Sequence, residues 1–250
     1  MSTKTDYYSL QGRLSFATRL AGGKVGPVVW AQNVPKLELK IEVSEESSKE
    51  SHSGQRLKDF VMSIENTLKT SYTLNGFTLD NLAAAFWSSK LSITGGTVSA
   101  EALPTLAVGN YFQLDHQNTS SWALVDSTGT PVPLVEGTHY AITSAFAGQG
   151  EILSITGLTQ PIKASYSYAT SNALSLLSQR ADELHMLFDG IDTVSGRHVF
   201  LHIPRHSAKP TGGFALINNE GKGALEFEGE ALYDGTDAAY PLGKFVMQPA

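Results

Sequence analysis

The segment Pro35–Val43, PKLELKIEV, alternates apolar and charged residues without a fault, and this alternation constrains the fold more than any other feature. Successive side chains of a β-strand point to opposite faces, so the pattern predicts a strand over 36–43 with one apolar face and one charged face. The charged face has three ordinary explanations. It meets solvent, it guards a sheet edge against aggregation, or it lines an aqueous channel built from several copies of the chain.

A second long alternating strand is predicted over 59–74, with Phe60, Met62, Ile64, Leu68, Tyr72 and Leu74 on one face. The predicted loop 44–58 between these strands has about fifteen residues, and loops of that length are usually functional or disordered. The loop carries charges of both signs, which we interpret as contacts to a partner surface. These candidate residues are Glu45, Glu46, Lys49, Glu50, His52, Arg56 and Lys58.

The rest of the chain predicts a mainly β protein with one clear helix. The helix is indicated by TLDNLAAAFWSS, with Thr78 as its N-cap. Residues 96–170 are poor in charge and rich in turn signals, which predicts a β-rich insertion between two parts of a discontinuous core, 1–95 and 171–250. The strand predicted over 223–233 places Glu226, Glu228 and Glu230 on one face.

Composition excludes several classes of protein. The chain has no cysteine, which rules out a disulfide scaffold, thiolate zinc sites and a cysteine nucleophile. It has 24 acidic and 18 basic residues, and the basic ones form no cluster, which argues against tight binding of nucleic acid. No apolar segment resembles a signal peptide or a membrane span, so we expect neither secretion by a leader nor membrane insertion.

The motifs that would carry catalysis or bind a cofactor are also missing. His198, His202 and His206 recur every fourth residue, but on a strand such positions lie ~13 Å apart, too far for one metal ion. The glutamate row at 226–230 is typical of a solvated strand face rather than of glycosidase carboxylates. The segment AGGKVG at 21–26 is not a phosphate-binding loop. We therefore predict no catalytic residue, no metal, no cofactor and no enzyme activity.

The order of these segments resembles the major tail tube proteins of long-tailed bacteriophages and, more distantly, the tube protein of type VI secretion. The resemblance is carried by LELKIEVSEESSKESHSGQRLKDFVMSIENTLKTSYTLNGFTLDNLAAAFWSS, by LFDGIDTVSGRHVFLHIPR and by FEGEALYDGTDAAYPLGKFVMQ. These segments cover about half of the chain, and Asp192 stands where the family more commonly has Asn. The insertion 96–170 does not belong to the minimal fold of that family.

The resemblance implies a β-sandwich or flattened barrel with one flanking helix. It also implies hexameric rings that stack into a hollow tail tube, assembled in the host cytoplasm and located in the virion tail. Expected partners are other copies of the chain, the tape-measure, tail terminator and tail-tip proteins, and genomic DNA in transit without specific binding. Under this hypothesis loop 44–58 reaches the neighbouring ring. The lumen-lining candidates are Lys36, Glu38, Lys40, Glu42, Glu65, Lys69, Glu226, Glu228 and Glu230.

An alternative interpretation is a β-sandwich binding module of a phage particle that recognises a host-surface glycan. Aromatic residues of the predicted insertion would supply its surface. They are Tyr111, Trp122, Tyr140, Tyr166 and Tyr168.

Overall fold

The computed structural model describes residues 7–180, 182–219 and 221–249, and within them the protein is mainly β with one α-helix, as predicted. In chain order the elements are β1 (Leu10–Arg19), a 3-10 turn (Ala21–Gly23), β2 (Val25–Trp30), β3 (Lys36–Lys49), β4 (Lys58–Leu74), α1 (Leu79–Ala85), β5 (Ser89–Ile93), β6 (Gly96–Ala102), β7 (Tyr111–Gln113), β8 (Thr119–Val125), β9 (Tyr140–Ser144), β10 (Gln149–Ile152), β11 (Lys163–Tyr168), β12 (Ser171–Ser175), β13 (Glu183–Asp192), β14 (His198–Pro210), β15 (Leu225–Ala231) and β16 (Lys244–Met247). No helix in these ranges is long and apolar enough to cross a membrane.

The chain divides into two compact units. The first contains the described residues of 1–89 and 176–250, and the second contains residues 90–175. The second unit extends beyond the predicted insertion 96–170 at both ends. Its outermost strands, β5 and β12, pair with each other in a two-stranded sheet, so the flanking residues fold with the insertion.

The first unit is built on one antiparallel sheet with the strand order β2-β1-β13-β14-β15-β4-β3. The long strand β14 pairs with β13 on one side. On its other side it pairs first with β16 and then with β15. Residues directly opposite each other in a ladder lie on the same face, so the register fixes which side chains share a face across the whole sheet.

One face of this sheet carries the core of the first unit, and helix α1 covers part of it. The Thr78 side chain accepts a hydrogen bond from the Asn81 backbone N–H at 3.2 Å, which confirms the predicted N-cap. The buried Asn81 side chain donates to the carbonyls of Gly76 and Ala31, at 2.9 and 3.1 Å, and thereby ties the helix to the preceding segments. Leu82 and Ala85 of the helix pack on the buried residues Leu14, Ala31, Tyr72, Leu74, Met186, Leu201, Ile203, Leu225, Phe227 and Ala231.

The β3–β4 hairpin is longer than the sequence predicts, so the predicted loop 44–58 is wrong in its bounds. The ladder continues from Lys36↔Thr73 to Lys49↔Lys58, which leaves 50–57 as the turn. Ladder pairing uses backbone N–H and C=O groups that every residue of this segment has, so a Ser- and Glu-rich sequence pairs although it has little to bury.

The second unit holds two three-stranded sheets, β6-β11-β8 and β7-β10-β9. Its aromatic residues are mainly internal. Tyr140 and Tyr166 are buried, and Trp122 and Tyr168 are half-buried against the core, so Tyr111 is the one exposed member of the predicted glycan surface. The buried core consists of Leu103, Leu106, Phe112, Leu114, Leu124, Leu134, Tyr140, Ile152, Ile162, Ala164 and Tyr166.

Candidate functional site

The nine residues predicted to line a lumen lie on one face of the main sheet, which we call the polar face. In the register, Glu38 is opposite Ser71, and Ser71 is opposite Glu228. Lys40, Lys69 and Glu230 form the neighbouring row. The polar face therefore joins the β3–β4 hairpin to β15, which is distant from it in sequence. Its predicted members are Lys36, Glu38, Lys40 and Glu42 from β3, Glu65 and Lys69 from β4, and Glu226, Glu228 and Glu230 from β15.

Glu42 is the centre of the charge network on the polar face. Its carboxylate binds the Lys69 ammonium at 2.5 Å and the Lys40 ammonium at 2.9 Å. The hydrogen bond from Lys69, followed by that from Lys40, lowers the pKa of Glu42 to about 2. Glu42, and more weakly Glu230 and Glu228, raise the pKa of Lys69. Six of the nine predicted residues are acidic and three are basic, so these nine side chains together carry an excess of negative charge.

The opposite face of the same hairpin is apolar and exposed. We expected the apolar faces of both strands to pack on the subunit core, and this is wrong for the half of the hairpin nearer the turn. Leu37 and Leu68 still contact the core. Beyond them Leu39 is 43% exposed, Ile41 is 73% exposed and Val43 is also exposed, because in the part of the chain that is described no second layer covers this region.

A β-bulge at Ile64 changes the faces beyond it. Ser44 pairs with Glu65 and Glu45 pairs with Ser63, so Ile64 has no partner in the register. The alternation of β4 is therefore reversed past this point. Met62 lies opposite Glu46 and Phe60 lies opposite Ser48, on the side of the polar face, which corrects the prediction that these two share a face with Tyr72 and Leu74. Both side chains are exposed. Residues 39–64, which we call the distal hairpin, thus present apolar groups on both faces.

The predicted partner-contacting residues are distributed along the distal hairpin rather than on a loop. Glu45, Glu46 and Lys49 belong to β3, and Lys58 is the first residue of β4. Lys58 and Glu45 approach each other at 3.8 Å, and both side chains are about half exposed. The remaining predicted contacts lie in the turn 50–57. They are Glu50, His52 and Arg56.

Glu50 is turned into the loop and organises it. Its carboxylate accepts hydrogen bonds from the backbone N–H groups of His52 and Ser53, both at 2.8 Å, and from the Ser53 hydroxyl. It also accepts from the Leu57 N–H at 3.4 Å, and its side chain is only 7% exposed. The hydroxyl and N–H of Ser53 are the main causes that lower the pKa of Glu50 to about 2. Glu50 therefore shapes the turn, whereas His52 is open to a partner.

Both ends of the main sheet are open edges within the described residues. β3 pairs only with β4 over fourteen residues, and β2 pairs only with β1 over six. Pro27 has no backbone N–H, so it interrupts the row of hydrogen-bond donors along the β2 edge, as is common on edge strands. Beside it Trp30 is exposed, with the Arg13 guanidinium 5.3 Å from its ring centre. The sequence pattern does not identify these edges, because local patterns do not specify the order of strands in a sheet.

The histidines of β14 do not converge on one point. The ring of His202 contacts His185, with Nε2 3.0 Å from its Nδ1, and the buried His206 contacts the Thr70 hydroxyl at 2.7 Å. Among residues 7–180, 182–219 and 221–249, no group of three or more His, Asp or Glu side chains is placed to hold a metal ion.

Comparison with curated proteins found no match for this sequence. A family model described as "Protein of unknown function UCP028589" matches residues 7–248, which is nearly the whole chain and includes both structural units. The chain therefore belongs to this family.

Proposed function

We propose that this protein is a structural subunit that assembles with copies of itself into stacked rings, forming the hollow tail tube of a long-tailed bacteriophage. The observation that carries the proposal is the distal hairpin, which exposes Leu39, Ile41 and Val43 next to a fourteen-residue open edge. Contiguous exposed apolar surface of this kind marks interaction sites. An open edge of this length is also a template for pairing with another chain.

The two open edges support assembly by a repeated head-to-tail contact. β2 and β3 differ in sequence and length, so a contact between the β3 edge of one copy and the β2 edge of the next is heterologous. Such a contact closes into a ring when its rotation allows, and it leaves no free edge in the closed ring. The distal hairpin then supplies the second contact, along the axis, that stacking requires.

The charges of the polar face support its assignment as the lumen wall. A channel for DNA needs a hydrated surface that does not retain the phosphate backbone, and tight retention requires clustered basic residues. On this face the Glu42 carboxylate binds both Lys40 and Lys69 and offsets one of their two positive charges, while Glu226, Glu228 and Glu230 continue the acidic row. The tape-measure, terminator and tail-tip proteins, the virion location and assembly in the host cytoplasm are parts of the same proposal.

Shortening the distal hairpin tests the stacking contact of the proposal. Replacing residues 45–64 by Asn-Gly joins the paired residues Ser44 and Glu65 through a two-residue turn suited to a hairpin. We expect wild-type protein to form rings or tubes in electron micrographs as concentration rises. The shortened protein keeps the β3 edge over 36–44 and the rest of the sheet, so we expect it to fold but to form no tubes. A control variant in which only residues 51–56 are replaced keeps both strands. It distinguishes the contribution of the turn to assembly from that of the apolar strand faces. Wild-type protein that stays monomeric at every concentration refutes the proposal, as do tubes of normal length from the shortened variant.

The lumen assignment is tested by thiol labelling, for which the chain is suited because it has no cysteine. Cysteines introduced at Glu38 and Glu65 should react with a small maleimide in assembled tubes but not with a maleimide coupled to a large protein. In unassembled subunits both reagents should react, which is the control. Labelling of tubes by the large reagent places these positions outside and contradicts the assignment.

A further inference from the structure

A buried cluster of histidines and charges lies where strand β16 joins the main sheet. His185 of β13 is fully buried, and its Nδ1 lies 3.0 Å from Nε2 of His202 on β14, with the two rings stacked at 5.2 Å between centroids. His202 is the register partner of Lys244, the first residue of β16. The pair therefore lies directly beside the attachment of the C-terminal segment, residues 232–249.

The charged groups around the pair come from every element packed on it. The Arg19 guanidinium of β1 donates to the Asp234 carboxylate of the C-terminal segment at 2.8 Å, and the Asp234 side chain is almost fully buried. Lys244 of β16 and the backbone carbonyl of Lys24 complete the immediate surroundings. The Arg205–Glu183 ion pair, at 2.7 Å, lies beside Asp234, and Arg205 also donates to the backbone carbonyl of Tyr233.

The hydrogen bond between the two rings depends on how many protons the pair carries. In the neutral pair one ring donates and the other accepts, so two of the four ring nitrogens carry hydrogen. A single added proton preserves this hydrogen bond and leaves an N–H on the buried Nε2 of His185. The nearby Lys24 carbonyl favours this protonated form, but Nε2 makes no hydrogen bond of ordinary geometry among the described residues. A second added proton leaves two N–H groups facing each other and breaks the contact.

We propose that the His185–His202 pair is an acid-labile clasp that holds the C-terminal segment, residues 232–249, on the main sheet. At neutral pH the pair is uncharged and lies beside the first residue of β16. On acidification the added positive charge faces Arg19 and Lys244, while Asp234 is already bound to Arg19, so β16 separates from β14. The clasp is independent of whether the protein forms tubes.

The direction of titration agrees with this geometry. Burial lowers the pKa of His185 and of His202 below the ordinary value of 6.5, and Arg19 lowers the former further, while Asp234 and the Lys24 carbonyl act in the opposite sense. A histidine whose pKa is lowered by folding stabilises the closed state at pH values above its unfolded pKa. This stabilisation is lost as the pH falls. At pH 5.5, one unit below 6.5, each histidine that stays neutral in the closed state raises the opening equilibrium about tenfold.

Hydrogen exchange of the full chain between pH 7.5 and 5 tests the clasp. After correction for intrinsic exchange rates, we expect the amides of β16, residues 244–247, to open at least about tenfold more at pH 5.5 than at pH 7.5, and about a hundredfold more when both histidines stay neutral in the closed state. Amides of β1 and β13 that pair with each other should change much less. His202→Gln keeps an acceptor for the His185 ring and removes one titrating group, so the acid response of its β16 amides should be about tenfold smaller than in the wild type.

His198→Gln is the matched control, because His198 lies on the same strand and face but outside the pair. An equal acid response in H198Q and H202Q overturns the proposal, and so does uniform opening of the whole sheet. Should H202Q fail to fold, the ring-proton resonances of the wild type decide the matter. Titration of His185 and His202 below pH 6.5 together with β16 opening supports the clasp, whereas two ordinary titrations refute it.

Discussion

Replacement of Ile41 by Thr tests whether the surface around this residue contacts another subunit or only solvent. Ile41 is 73% exposed in the subunit, on the apolar face of the distal hairpin. Thr keeps the β-branched shape that suits a strand but exchanges the ethyl arm for a hydroxyl. If a second copy covers this position, the change weakens assembly. The free energy of unfolding of the isolated subunit should hardly change.

The expected size follows from the group removed. Two carbons are worth about 1.6 kcal/mol at about 0.8 kcal/mol for each buried CH₂, and roughly three quarters of that is available because Ile41 is 73% exposed. Covering a hydroxyl without a partner adds about 0.5–2 kcal/mol on scales that allow partial compensation. We therefore expect a loss of about 2 kcal/mol for each contact, or about a thirtyfold rise in the concentration needed for assembly. Unfolding of the dilute subunit should change by less than about 0.5 kcal/mol.

Sedimentation velocity over a concentration series measures the first quantity, and urea unfolding of dilute protein measures the second. Ile217→Thr is the matched control, since Ile217 is 86% exposed on the connection between β14 and β15. Ile203→Thr is the converse control. Ile203 is fully buried, so this change should lower the unfolding free energy by about 2–4 kcal/mol. Wild-type assembly by I41T refutes the reasoning, and so does an equal loss in I41T and I217T.

Two further predictions concern side chains that organise the first unit. Asn81→Ala removes two hydrogen bonds from a buried amide and leaves the Ala31 and Gly76 carbonyls unpaired, so urea unfolding should show a loss of about 1–3 kcal/mol; an unchanged midpoint would contradict this anchoring role. The pKa of Glu50 is lowered from 4.5 to about 2, so the order it gives to loop 50–57 is complete above pH 4.5 and is lost as pH falls toward 2. NMR of the loop amides should show this transition in wild type and not in Glu50→Gln, and a pH-independent wild-type loop would refute it.

Part of the candidate site was predictable from local pattern. The period of two over 36–43 placed Lys36, Glu38, Lys40 and Glu42 on one face and Leu37, Leu39, Ile41 and Val43 on the other. The capping role of Thr78 was also predictable, since an N-cap involves only neighbours in sequence. These features depend on residues within a few positions of each other.

Other features of the site depend on contacts between distant segments. The row that joins Lys40, Lys69 and Glu230 exists because β15 pairs with β4, and no local pattern specifies that pairing. The bulge at Ile64 moves Met62 to the opposite face, although apolar and polar residues alternate from Met62 to Glu65 in the sequence. The contact between His185 and His202 likewise depends on the alignment of β13 with β14, which the pattern of neither strand specifies.

The sequence by itself determined the mainly β class, the single capped helix and the two-faced strands, because strand and helix periods are set by backbone geometry one residue at a time. Only the tertiary structure decided how far the hairpin extends, which edges stay open and which apolar faces stay uncovered. The physical reason is that ladder hydrogen bonds join backbone groups common to almost every residue, so side-chain identity says little about where pairing ends. Exposure of Ile41 depends on whether another layer reaches it, which is a property of the whole sheet.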